Sequence, residues 1–265
     1  MPFIDHELLP GVHHIEDGLG VCFTLIVGQR QALLVDSGYG LEDVSAYVKR
    51  LTPLPVTLWL THAHHDHMLG ARWFDSARLH PADLPGYATY SGSPWTDRIL
   101  ERAESEGLAA EARAWRNMPM PTPVCLEGET IDLGGLTAQV ISCPGHTPGS
   151  MVVYVPELKL LLTGDDWNPC TWLFFEEALS IQAYRKNMLE LLHLPFEWVV
   201  CSHNTGLHPR ARLEAFLAGL TDAAIEAAPE SEVGEPYGIR TRQLALPGDQ
   251  VMVFDGEKAN FQRQS

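Results

Sequence analysis

Short apolar runs that stop at turn residues recur through the first part of the chain: VHHIED, VCFTLIVG, ALLVDSG and VTLWLTH. Such runs bounded by Gly, Asp or Pro predict strands, and the amphipathic stretch LEDVSAYVKRL between the last two predicts a helix. From Met68 to about Met118 the pattern turns helical, in MLGARWF and WTDRILERAESEGLAAEARAWRNM, around the loop LPGYATYSGSPW. That region is expected to overhang whatever site the strands build.

A second block of strands follows in VCLEGETIDLGG, LTAQVISCPG, SMVVYVP and KLLLTGDD, broken by glycines and prolines at hairpin-like places. Next come a helix near Ile181 to Leu192, a strand WVVCSH and a helix HPRARLEAFLAGLTDAAIEAA. The tail GIRTRQLALPGDQVMVFDGEK reads as a hairpin through Pro247, Gly248 and Asp249. The two blocks are alike: an apolar strand ending at Asp beside Gly (LLVDSG, LLLTGDD), a helix, then an apolar strand ending in His (LWLTH, WVVCSH). Two βα halves facing each other, with strand ends meeting along one edge, account for this. No period of about 20 to 50 residues appears, which excludes a solenoid.

Charge narrows the partners. Eighteen basic against thirty-four acidic residues give a net charge of −16, which repels polyphosphate backbones in the absence of a basic stripe. Nucleic acid is therefore not expected. The N-terminal MPFIDHELLPG carries no basic and apolar leader, and no stretch approaches the roughly 20 apolar residues of a membrane span. A cytoplasmic protein is expected, with no membrane partner. Five scattered cysteines, none in a C-x-x-C pair, read as reduced thiols.

The chemistry concentrates in THAHHDHMLG, where four histidines and one aspartate fall between His62 and His67, directly after an apolar run. In extended backbone alternate side chains point the same way, so His62 and His64 can reach one ion. A turn before a helix at Met68 can bring Asp66 and His67 to a second position. His146 in PGHTPGS, Asp165 in LLLTGDD and His203 in VVCSHN occupy equivalent strand-end places. Imidazole plus carboxylate without thiolate suits zinc, manganese or iron.

With these four blocks in order, the chain resembles the metallo-β-lactamase-fold hydrolases from about residue 10 to 210. The resemblance implies one domain over residues 1–265: a four-layer αβ/βα sandwich of two facing mixed sheets with outer helices. A helical and loop insertion is expected at about 80–120 and a C-terminal hairpin at about 237–258. It also implies that His62, His64 and His146 hold a first divalent ion, that Asp66, His67 and His203 hold a second, and that Asp165 rather than Asp166 bridges them. Zinc is the expected metal, with manganese or iron as alternatives. His65 takes the variable position, as a spacer pointing away from the metals. Asp36 is expected to orient a ligand imidazole.

The implied reaction is attack by a metal-bridging hydroxide on an ester, lactone or thioester of a small, partly apolar molecule, with Asp66 passing a proton to the leaving group. β-Lactam or phosphodiester hydrolysis is the alternative; an iron-dependent persulfide dioxygenase, sharing H-x-H-x-D-H, is the rival from another class. Lactonases of this fold carry Tyr three residues after the bridging Asp, where this chain has Asn168, an amide suited to polarising the substrate instead. WNPCTWLFFEEALS reads either as core or as a pocket wall, with Trp167, Asn168, Trp172 and Tyr237 as the candidate pocket residues. The tail beyond Tyr237 packs on the core, closes the pocket or forms a homodimer edge; the sequence leaves these open.

Overall fold

A computed structural model describes residues 3–108, 115–234 and 237–259. Its first sheet has seven strands in chain order: β1 (Ile4–Leu9), β2 (Val12–Glu16), β3 (Cys22–Val27), β4 (Ala32–Val35), β5 (Val56–Trp59), β6 (Arg78–Leu79) and β7 (Val124–Cys125). The second has six, drawn from β8 (Thr130–Asp132), β9 (Thr137–Ser142), β10 (Met151–Val155), β11 (Leu160–Leu162), β13 (Trp198–Val200) and β14 (His208–Pro209), in the order β14-β13-β11-β10-β9-β8. Strands β4 and β10 are buried along their whole length, which is why they read as continuous apolar runs rather than alternating ones.

The first sheet runs parallel from β4 through β7 and the second between β11 and β13, and in each a helix makes one of these connections. Helix α1 (Val44–Leu51) carries the chain from β4 to β5, and its first turn is closed by Asp43, whose carboxylate accepts from the Ala46 N–H. The helix Ile181–Glu190, capped by Ser180, does the same between β11 and β13. Parallel strands require such a connection, and it leaves the C-terminal ends of β4, β5, β11 and β13 on one edge. One apolar layer, including Ile26, Leu33, Trp59, Val153 and Leu162, fills the space between the sheets. Separate clusters lie under the helices on either outer face. The result is the expected four-layer sandwich.

The C-terminal hairpin expected at about 237–258 is built into a further sheet that the sequence pattern does not predict. Strand β12 (Cys170–Leu173) runs parallel to β17 (Gln250–Phe254), which pairs through β16 (Ile239–Leu246) with β15 (Glu230–Val233). WNPCTWLFF thus contains a strand whose alternate residues face opposite ways: Thr171 and Leu173 are buried, Cys170 and Trp172 exposed. Strand β1 also precedes the first one expected. The long helix predicted from His208 is two helices, Arg210–Gly219 and Asp222–Ala227. Gly219 ends the first, and the Thr221 hydroxyl caps the second at the Ala224 N–H. The helix expected from Trp95 runs to Ser105, and residues 109–114 of that prediction lie outside the described residues. Among the described residues no helix is long and apolar enough to cross a membrane.

Candidate metal centre

The shared edge of the sandwich gathers the strand-end residues. Asp36 follows β4, His62 follows β5, Asp165 follows β11 and His203 follows β13. Two backbone bonds between the halves hold the edges together: Met151 N–H donates to Thr61 O at 2.9 Å and Cys22 N–H to Ser202 O at 2.8 Å. Gly164, at φ +53°, lies so close to Thr61 that a Cβ there would fall 2.6 Å from its hydroxyl. The Gly before Asp165 is therefore a requirement of close approach as well as of backbone conformation.

His62 lies in a bend after β5 and His64 in extended backbone, and the helix begins at His65 rather than Met68, so Asp66 and His67 sit inside its first turn. His62, His64, His146 and Asp165 bring one ligand atom each to within 4.8 Å of one another, and Asp66, His67 and His203 form a second group by the same measure. His67 Nε2 lies 3.4 Å from Asp165 Oδ2, and His203 Nε2 lies 3.2 Å from the same oxygen, so Asp165 stands between the groups.

The far nitrogens of the imidazoles decide what the near ones offer. His62 Nδ1 is 3.0 Å from Thr61 Oγ1, which itself donates to Asp36. His67 Nδ1 is 2.9 Å from Asp36 Oδ2, His146 Nδ1 is 2.7 Å from the Trp172 carbonyl and His64 Nε2 is 3.0 Å from Glu177 Oε1. Each far nitrogen faces an acceptor, directly or through a hydroxyl, and so carries the ring proton. The near nitrogens of His62, His64 and His146 are then lone pairs, yet they stand 3.1 and 2.8 Å apart. His67 Nε2 is buried without a hydrogen-bond partner. Converging lone pairs repel unless a cation sits among them, so this donor set fits divalent ions.

Electrostatics divide the set: burial would lower His67 and His203, but the carboxylates of Asp165 and Asp66 outweigh it and raise both, whereas His62 and His146 of the first group shift the opposite way. Burial, reinforced by neighbouring imidazoles, keeps His62 well below the usual histidine range and brings His146 to about 4. Burial alone would raise Asp165, but His203 and His67 outweigh it and hold the carboxyl well below its ordinary value. Asp166, by contrast, is pushed up by burial; it belongs to neither ligand group and accepts from the His146 N–H instead.

Three sequence expectations require correction. Trp167 is fully buried, with its indole N–H donating to Gln250 at 3.1 Å, and takes no part in the cavity. Asn168 does line the cavity, but its amide is engaged: Nδ2 donates to Asp165 at 3.0 Å, and Oδ1 accepts from the His203 N–H. It braces Asp165 and His203 from the cavity wall. His65 lies outside both ligand groups, yet it does not point away; its Nδ1 stands 3.2 Å from Asp66 Oδ1 and its ring stacks on Tyr39.

Trp172 and Tyr237 do reach the cavity beside the cluster, which has a volume of 260 Å³ and is walled also by Tyr90, Trp95 and Phe175. Glu177, which holds His64 and accepts from the Tyr90 hydroxyl, carries no mark in the sequence. Nothing in FFEEALS distinguishes it from Glu176; only the fold of the loop does.

A clustered imidazole and carboxylate set on the open rim of a layered α/β sandwich defines a metal-dependent enzyme. A family model described as the metallo-beta-lactamase superfamily matches residues 17–203, and the chain belongs to that superfamily. It is 27% identical over 194 residues to the acyl-coenzyme A thioesterase MBLAC2 of Gallus gallus, covering 67% of this chain and 69% of that protein. It is 29% identical over 141 residues to the probable metallo-hydrolase YqgX of Bacillus subtilis, covering 53% and 63%. Among solved structures, the metallo-beta-lactamase family protein TTHA1429 from Thermus thermophilus superposes with a TM-score of 0.57 at 21% identity, covering 83% of this chain and 82% of that one. The expectation of a metal-dependent hydrolase agrees with these relatives.

Proposed function

We propose that the protein is a dinuclear metallohydrolase that cleaves thioesters of small acyl groups. The observation that carries the reading is the convergence of unprotonated imidazole nitrogens beside an aromatic cavity. The thioester preference is supported by the likeness to acyl-coenzyme A thioesterases.

His62, His64 and His146 would hold one ion, Asp66, His67 and His203 the other, with Asp165 between them. Divalent ions bound there supply Lewis acidity and make a water acidic enough to act as a nucleophile near neutral pH. The chain's own groups do the rest. Tyr90, Trp95, Trp172, Phe175 and Tyr237 form an apolar wall that takes the acyl chain and excludes bulk water from it. Asn168 fixes Asp165, and Glu177 fixes His64. Hydrolysis breaks the carbon–sulfur bond, leaves the oxygen of water on the acid and requires a proton for the departing sulfur. Asp66, steadied by His65, stands where it can carry that proton.

The test is a panel of thioesters, aryl esters, lactones, phosphodiesters and β-lactams offered to protein loaded separately with zinc, manganese or iron. Thioesters are expected to be cleaved fastest. Oxygen consumption with a persulfide by protein holding one iron per chain would overturn the hydrolase reading.

A further inference from the structure

The aromatic cavity opens into a wider groove of 840 Å³, and the two share Asp66, His203, Trp95, Trp172 and Tyr237 along their boundary. A substrate whose reacting carbonyl lies at Asp66 can therefore extend both into the aromatic cavity and into this groove, where charged side chains join the apolar lining. The groove is bounded on one side by the helix Trp95–Ser105, which presents Arg98 and Arg102 one turn apart along it.

These arginines differ in their commitments. Arg102 donates to the Tyr39 hydroxyl at 3.1 Å and to the Leu19 carbonyl at 3.0 Å, so it is anchored as part of the wall. Arg98 is exposed and lies over the Trp95 ring at 5.2 Å, with no carboxylate at ion-pair distance among the described residues. Glu101 lines the same groove and moderates its charge. Nearby Asp97 is engaged with Arg116. In a chain of net charge −16, with two carboxylates in the ligand groups themselves, an anionic molecule meets repulsion over most of its approach. In this groove the two guanidinium groups offset the Asp66 and Glu101 carboxylates, so the repulsion is relieved locally.

We infer that this groove receives an anionic leaving group, and that Arg98 is the residue that selects thioesters of charged thiols over those of neutral ones. This rests on the thioesterase reading and adds the identity of the thiol side. The acyl chain enters the aromatic cavity, the carbonyl lies at the ligand cluster, and the thiol extends along the helix towards Arg98. A phosphate or a carboxylate on the thiol both satisfy the planar guanidinium, which pairs with either through two parallel hydrogen bonds.

The experiment compares three substrates with one acyl group: hexanoyl-coenzyme A, S-hexanoylglutathione and the uncharged S-hexanoyl-N-acetylcysteamine. For the metal-loaded wild type, kcat/KM is expected to favour a charged thiol. In Arg98→Gln that preference is expected to fall about tenfold, the loss of one charge-assisted contact, chiefly through KM. Lys49→Gln, an equal charge change on an exposed position of α1, should leave the preference intact. A phosphate-bearing thiol is the natural partner if the coenzyme A ester is preferred, a carboxylate-bearing one if the glutathione ester is. Cleavage of all three esters with a ratio unchanged in Arg98→Gln overturns the assignment of Arg98 and leaves the thioesterase reading standing. Cleavage of none by the wild type overturns the thioesterase reading itself.

Discussion

Asp36 Oδ2 lies 2.9 Å from His67 Nδ1 while the Asp36 backbone holds a left-handed conformation at φ 63°. The same carboxylate accepts from the Thr61 N–H at 2.7 Å and from the Thr61 hydroxyl, which in turn meets His62. One side chain thus fixes a ring in each ligand group, and aspartate is among the few residues other than glycine that tolerate this backbone. Asp36→Asn keeps the shape but replaces an acceptor with an amide. Metal affinity is expected to fall by about 10- to 100-fold, the usual consequence of losing such a partner. Competition with a chromogenic chelator measures it; unchanged retention would show that His67 needs no orienting partner.

Glu177 makes the corresponding case for His64. Glu177→Gln can still meet the ring but no longer as an anion, and the Tyr90 hydroxyl then loses its charged acceptor. About a tenfold loss of affinity for the ion at the His64 group is expected, with little change in thermal stability, because Glu177 is partly exposed. Metal titration followed by calorimetry reads the two sites separately.

The cavity sets a length limit on the acyl group. At 260 Å³ it falls just below the range of about 300 to 1,000 Å³ that holds drug-sized ligands. Each methylene buried there contributes about 0.8 kcal/mol, roughly a fourfold gain in kcat/KM, until the wall is reached. Phe175→Ala should move the optimum to longer chains and cost activity on short ones. A chain-length series gives the answer, and an optimum that does not move would remove Phe175 from the acyl wall.

His14 predicts a pH dependence of stability. It is buried between Thr24 Oγ1 at 2.9 Å and the Asn204 carbonyl at 3.0 Å, and burial lowers it from the ordinary value of 6.5 to about 4. The unfolded chain therefore takes up a proton that the folded chain refuses between those values. The stability concerned is complete above pH 6.5 and is lost as pH falls towards 4, for a total of about 3 kcal/mol. Thermal melts of the wild type should drop several degrees between pH 7 and 5, and His14→Gln should drop less. Equal drops would show that other groups set the acid limit.

What the chain disclosed about itself follows from which features depend on residue type alone. His62, His64, Asp66, His67, His146, Asp165 and His203 stand out because metal binding calls for rare residue types, and they follow strands, Asp66 and His67 from the first turn of the helix after β5. Glu177 was hidden because an acceptor for an imidazole can come from any loop that happens to pass. Trp167 and Trp172 read alike in WNPCTW; Trp172 lies on the exposed face of β12 beside the cavity, whereas Trp167 precedes the strand and is fully buried. Nothing in WTDRILERAES sets Arg98 apart from Arg102; the groove beside the helix does.

The central claim, that these residues form a hydrolytic metal centre acting on thioesters, is tested most directly by free thiol release from hexanoyl-coenzyme A, measured in parallel for zinc-loaded wild type and Asp165→Ala. The account predicts multiple turnovers by a wild type holding two ions per chain, and a loss of at least about 100-fold, with fewer ions retained, in the variant. Equal thiol release by the two proteins, or none by the fully loaded wild type, would contradict it.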